Sequence, residues 1–166
     1  MTGAVNALRQ SAVELLREYG VYAVTAMEPE GRKRWDGPVA AVSLDRVVCA
    51  AGGFKDFLGL RDNPDTGGQD ELYGKGVEIT LGLDLYAPRN GGESACLEAA
   101  GVLAEALACR GVGGLPAEEL RTGGVEFLEK DGLYHLPVKC VCRGWLVAAV
   151  DSSGTFADFE VKGRRI

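Results

Sequence analysis

The chain has a single histidine and no Gly-Lys-Ser/Thr triplet anywhere in its 166 residues. Without that triplet a phosphate-cradling P-loop is excluded, and any thiol–imidazole chemistry has to run through His135 alone. No apolar run approaches the ~20 residues of a membrane-spanning helix. The opening Met1-Thr2-Gly3-Ala4 lacks the basic and apolar regions of a secretory signal, so the expected compartment is a cytoplasm. Basic residues are in the minority, 18 Lys plus Arg against 24 Asp plus Glu, for a net charge of −6. A whole-surface nucleic-acid binder shows the opposite balance. Six of the 18 basic residues form two small clusters, Arg32-Lys33-Arg34 and Lys162-Gly163-Arg164-Arg165. Five cysteines, an odd number, agree with free buried thiols in a reducing compartment. No internal repeat or low-complexity tract is visible.

What is present reads as globular: 46% hydrophobic and 25% charged residues, in a length suited to one domain with one core. The clearest pattern lies in Gly76–Arg110. Val77, Ile79, Leu81, Leu83 and Leu85 alternate with Glu78, Thr80, Gly82, Asp84 and Tyr86, which is a strand with one buried and one wet face. Pro88 and the Gly91-Gly92 pair end it. From Glu93 to Arg110 the period becomes helical, with Leu97, Ala100, Ala104 and Leu107 on the expected inner face and Cys96 and Leu103 beside them. Ser94 is the expected N-cap, and Arg110-Gly111 closes the helix.

Residues 4–19 form an amphipathic helix, with Leu8, Ala12, Leu15, Leu16 and Tyr19 inward and Gly20 as its stop. Strands follow over Val21–Met27 and Pro38–Cys49, the second with a bulge or two-sided burial where its phase blurs at Val47-Val48. Residues 51–75 read as a long loop, yet they carry Phe54, Phe57, Leu58, Leu60 and Tyr73. A solvated loop does not favour such residues, so the segment is expected to be an arm whose apolar side chains find the core or a neighbouring subunit. Pro116–Leu120 reads as a single helical turn. Val125–Leu128 and Leu133–Val150 form a hairpin about Asp131-Gly132, with a bulge near Gly144, and Thr155–Val161 adds a short strand. The expected fold class is α+β: a small, mostly antiparallel sheet packed by an N-terminal and a central helix, with a long inter-strand loop. One domain covers residues 1–150, and residues 151–166 form a C-terminal extension.

Candidate chemistry is sparse. His135 lies opposite Cys140 and Cys142 in the alternation and roughly 16 Å from Cys140 at 3.3 Å per residue, so the strand itself makes no thiol–imidazole pair. Cys140-Val141-Cys142 is half of a metal site without its other half. Cys96 and Cys109 are about 20 Å apart along one helix and cannot share a tetrahedral zinc. The acidic residues Asp62, Asp65, Asp70 and Glu71 lack the spacing of a calcium loop. No catalytic residue, metal site or cofactor is assigned, and the expectation is a protein that is not an enzyme.

The order of these elements resembles the tail terminator, or tail-completion, proteins of long-tailed bacteriophages and phage-tail-like particles. The likeness covers residues 4–150: an N-terminal helix into a small sheet, a long loop, a strand entering a central helix through Leu85-Tyr86-Ala87-Pro88, and a closing hairpin. It implies a virion structural protein, made in the host cytoplasm, whose copies form a ring, commonly a hexamer in that family. Such a ring caps the tail tube and joins it to the head–tail connector, with no specific nucleic acid or membrane partner. Under this resemblance Phe54, Phe57, Leu58, Leu60, Asp62, Asp65, Asp70 and Tyr73 are interface candidates. Glu78 and Asp84 are candidates to face the lumen, where negative charge lets a duplex pass. Two other classes stay open: another phage adaptor, such as a connector or baseplate piece, and a small cytoplasmic enzyme or ligand-binding domain.

Overall fold

The alternating run from Val77 belongs to a strand much longer than the run itself. The computed structural model describes residues 2–25, 35–51, 54–150 and 160–163. Helix α1 (Thr2–Glu18) turns at Gly20, which takes a positive φ of 85°, into strand β1 (Tyr22–Val24). Strands β2 (Val39–Ala51), β3 (Phe57–Asp62) and the 20-residue β4 (Gln69–Pro88) follow. Helix α2 (Gly92–Arg110) precedes β5 (Ala117–Thr122), β6 (Glu126–Leu128), β7 (Leu133–Leu136), β8 (Val138–Val150) and β9 (Glu160–Lys162). The basic residues 32–34 and 164–165, and most of the strand expected over 155–161, lie outside the described residues.

At about 3.3 Å per residue β4 extends roughly 65 Å, some three to four times an ordinary strand. Everything else in the sheet is laid along its two edges. One edge carries β2, paired with Lys75–Tyr86, and then β3, paired with Gln69–Tyr73. The other carries β8 against Glu71–Gly82 and β7 against Leu85–Pro88. Pro137, which has no N–H to give, falls at the break between β7 and β8. Further out, β1 lies parallel to β2, β5 and β9 lie antiparallel to β8, and β6 lies antiparallel to β7.

This corrects the expected fold class. The sheet is not small: among the described residues nine strands hold 52% against 26% in two helices, and the β1–β2 pairing makes the sheet mixed. Nor is 51–75 a long inter-strand loop, because Phe57–Asp62 and Gln69–Tyr73 pair as a hairpin around Asn63–Gly68. Alternation did not reveal the hairpin because it buries the other face of the sheet. Pro116–Leu120 is not a helical turn either; Ala117–Thr122 is an exposed strand on the edge of β8.

The main core lies under the helices. Val77, Ile79, Leu81, Leu83, Leu85 and Ala87 of β4 meet Leu8, Ala12 and Leu16 of α1 and Cys96, Ala99, Leu103 and Leu107 of α2. The inner face of α2 is therefore rotated from the expected one, and Leu97 is 54% exposed. Eleven of the 19 residues of α2 are Gly, Ala, Cys or Val and they fall on every side, so its sequence carries little direction. Nor does Ser94 cap it; the helix starts after Gly91 without a side-chain cap.

Beyond Val77 the burial changes sides. Leu72 is even-numbered, on the face opposite Val77, and it packs with Leu58 and Val147 beside Trp145 and Ala149. The β4–β8 register runs unbroken from Glu71↔Val150 to Gly82↔Lys139. The phase slip near Gly144 is thus no bulge: Leu146 and Ala148 of β8 stay buried on the Val77 side, and Val147 is buried on the other face as well. Gly74 sits at this crossing, where a Cβ would run into the Leu146 carbonyl and the end of Leu58.

Two cores on opposite faces should separate energetically. Leu83→Ala in the main core should cost about 2–5 kcal/mol in urea unfolding. Leu72→Ala should fall at the low end of that range, with faster hydrogen exchange confined to Phe57–Asp62 and its partners. Equal loss of protection throughout the sheet in Leu72→Ala would show that the small cluster is not a separate unit.

Candidate assembly interface

The hairpin of β3 and β4 is held at its turn by one side chain. The Asn63 Oδ1 accepts the backbone N–H of Asp65 at 2.9 Å and of Thr66 at 3.3 Å. Its Nδ2 donates to both Asp70 oxygens at 3.0 and 3.2 Å, and Arg61 pairs with the same carboxylate at 3.3 Å. Asp70 is only 6% exposed and takes these donors in place of water. Gly67 closes the turn at φ 68°, donating to the Asn63 carbonyl. The arm is thus an ordered extension of the sheet.

Its residues divide among three environments. Leu58 and Asp70 are used internally, one in the small cluster and the other under the turn. Phe54 opens a short 3-10 turn, Phe54–Asp56, that leads into β3. Phe57, Leu60, Asp62, Glu71 and Tyr73 share the face that the helices cover elsewhere, but they lie beyond the helices. Phe57 is 39% exposed and Leu60 54%. The Phe57 and Tyr73 rings meet edge-on with centroids 5.6 Å apart. The Tyr73 hydroxyl donates to Glu71 at 2.7 Å, and that bond raises its pKa. Asp62 accepts from Gln69, and Asp65 stands exposed in the turn.

The opposite face of the body, which no described helix covers, is laced with charge pairs. Arg143 bonds Glu78 at 2.9 Å and also Glu118, and both carboxylates raise its pKa. Lys139 reaches Asp45 at 3.0 Å. Arg121 grips Glu119 with two nitrogens and holds that carboxyl below its usual range. Asp84 meets His135 at 3.2 Å, and the His135 ring stacks on Tyr86 with centroids 4.7 Å apart. Glu78 and Asp84 do share this face, as the alternation implied, but each is engaged by a neighbouring strand. A shallow cavity of about 440 Å³ lies here, lined by Val48, Ala50, Gly76, Trp145 and the Arg143 cluster. Its one cation already serves two carboxylates, which leaves no free charge for a ligand.

The cysteines stay apart from His135. Cys140 and Cys142 point under the helices with sulfurs 3.8 Å apart, while His135 lies on the other face. Their shared hydrogen bond and burial push the Cys140 thiol far above its ordinary pKa. Among the described residues no group of three or more His, Cys, Asp or Glu is placed to hold a metal ion. None of the described helices is long and apolar enough to cross a membrane.

What the sequence reading missed is the crossing at Gly74–Gly76. Its signal was present: Leu72 is even-numbered and Val77 odd, with two strand-interior glycines between them.

No family model matches the chain, and no curated protein matches it in sequence. Among solved structures, a chain from the virion of a native gene transfer agent particle aligns with it over 86% of this chain and 98% of that one. The identity is 14% and the TM-score 0.40. A likeness of that strength assigns no family to the chain.

Exposure divides the thiols into two sets. Cys49 and Cys109 are exposed, while Cys96, Cys140 and Cys142 are buried. A thiolate-seeking reagent should therefore label two sulfurs quickly in the native protein and the other three only on unfolding. Rapid native labelling of Cys140 or Cys142 would contradict this packing.

Proposed function

We propose that this chain is a structural subunit of a phage-like virion, whose copies assemble into a ring that caps the tail tube and meets the head–tail connector. The observation that carries the reading is the arm. Phe57 and Leu60 stand exposed on a rigid hairpin with its own small core, beyond the helices that cover the same face elsewhere. Apolar side chains on an ordered projection mark a surface built to be covered. The element order of the tail-completion proteins adds to this, with Leu85–Pro88 leading from the long strand into the central helix. On this reading residues 1–150 are the assembling unit, and β9, from the segment that follows, closes part of the β8 edge. Glu78 and Asp84 are the residues to place toward a lumen. The ring works through contacts between copies and needs no catalytic group.

The test is assembly. At high protein concentration the wild-type chain should form rings visible by negative-stain microscopy, or bind tube ends. The Phe57→Ser/Leu60→Ser variant should stay monomeric by light scattering, with its stability changed by no more than about 1 kcal/mol, since both side chains are already largely in water. A wild-type chain that remains monomeric throughout and binds no tube end would overturn the proposal.

A further inference from the structure

We infer that the exposed face of the arm receives the basic run Arg164-Arg165-Ile166, which follows β9 in sequence, of a second copy of the chain; Lys162 is held in its own chain by Glu160 and by pairing with Trp145. The inference rests on the ring reading and names the partner of its contact. The receiving surface is apolar with an acidic border: Phe57, Leu60 and Tyr73, flanked on the same face by Asp62 and Glu71. Among the described residues, neither Asp62 nor Glu71 is in an ion pair; they accept only from Gln69 and the Tyr73 hydroxyl. Arg61 and Lys75 at the arm are committed to Asp70 and Asp56. The face therefore presents net negative charge around an apolar centre, and the chemistry that fits it is a short basic segment with an apolar residue. The chain contains that combination after β9, where Lys162-Gly163 is followed in sequence by Arg164, Arg165 and Ile166.

The direction of β9 decides between copies. β9 runs antiparallel to β8, and β8 antiparallel to β4, so β9 travels from the arm end toward the body. It pairs Glu160 with Val147 and Lys162 with Trp145, and Gly163 ends beside Gly114 and Pro116. Gly163, the last described residue, therefore lies at the end of β9 that points away from the arm of its own chain. A contact between two different surfaces of identical chains is head-to-tail, the kind that closes into rings. The attraction between exposed charges falls with added salt, which steers assembly without fixing it.

Charge exchange tests the pairing. Arg164→Glu/Arg165→Glu and, separately, Asp62→Lys/Glu71→Lys should each weaken assembly about tenfold or more in concentration dependence. All four substitutions in one chain should bring it back to within about threefold of wild type, because the pairs are restored with reversed sign. Asp62 and Glu71 are exposed, and circular dichroism of the four-fold variant checks the fold. If rings form but ignore both charge sets, or if the combined variant is not rescued, this inference fails while the ring reading stands. If the wild-type chain forms no ring and binds no tube end, the ring reading fails first.

Discussion

The constraint on which the structure depends is that one strand has to be paired on both edges for nearly its whole length. An unpaired backbone group away from water costs about as much as a lost hydrogen bond, and β4 exposes a long row of such groups on each side. No single partner is long enough. Each edge is therefore covered by two strands end to end, β2 then β3 on one side and β7 then β8 on the other. The breaks between them fall at different heights along β4, opposite Gly74 on one edge and opposite Leu83-Asp84 on the other. Neither break leaves β4 bare on both sides, so its pairing continues past the point where the helices stop.

Length alone would still leave the arm without a core. Among the described residues the helices cover one face from Val77 to Ala87, and past that the long elements are strands. The arm turns to the other face, where Leu58, Leu72 and Val147 pack on one another. Gly74 permits this by letting β4 and β8 approach without a side chain between them. On the face beyond the helices, Ala148 and Leu146 of β8 are buried, while Phe57 and Leu60 on the β3 side stand exposed. An exposed apolar patch and a buried apolar cluster thus share one two-layered element. The buried cluster holds rigid what the exposed patch presents.

Much of the body could be read from pattern, because its elements bury one face in a constant phase. The inward side of α1, the stop at Gly20, the alternation from Val77 to Tyr86 and the Asp131-Gly132 turn each follow from local periodicity or from one permissive residue. Three failures have one cause, which is that local pattern does not name the partner. In α2 the small residues all round give no direction, and Leu97 faces out where Cys96 and Ala99 face in. In Phe57–Leu72 the pattern was sound, but it belonged to the opposite face. In Ala117–Thr122 an exposed edge strand has no apolar row to show. Of the candidate interface, the apolar excess in 51–75 was legible. That Leu58 and Asp70 serve the arm itself was not, since both depend on partners at a distance in sequence, Val147 and the Asn63 turn.

The charge pairs on the uncovered face narrow what a lumen built from it would do. A surface that lets a duplex slide must neither bind phosphate nor repel it strongly enough to bar entry. Here three cations are held by carboxylates, Arg143 by Glu78 and Glu118, Lys139 by Asp45 and Arg121 by Glu119, while exposed Arg46, beside Thr80 on the same face, is in no ion pair among the described residues. Cations held this way cannot reach out to phosphates without giving up bonds within the sheet. The carboxylates outnumber them, so the residual field is weakly negative. A face of that kind resists phosphate binding through pairing rather than through a strong field, and its character should persist at salt concentrations that screen a merely acidic wall. The same pairs bridge β2, β4, β5 and β8 across the sheet, so the features that would keep a passage non-adhesive also help hold its wall together.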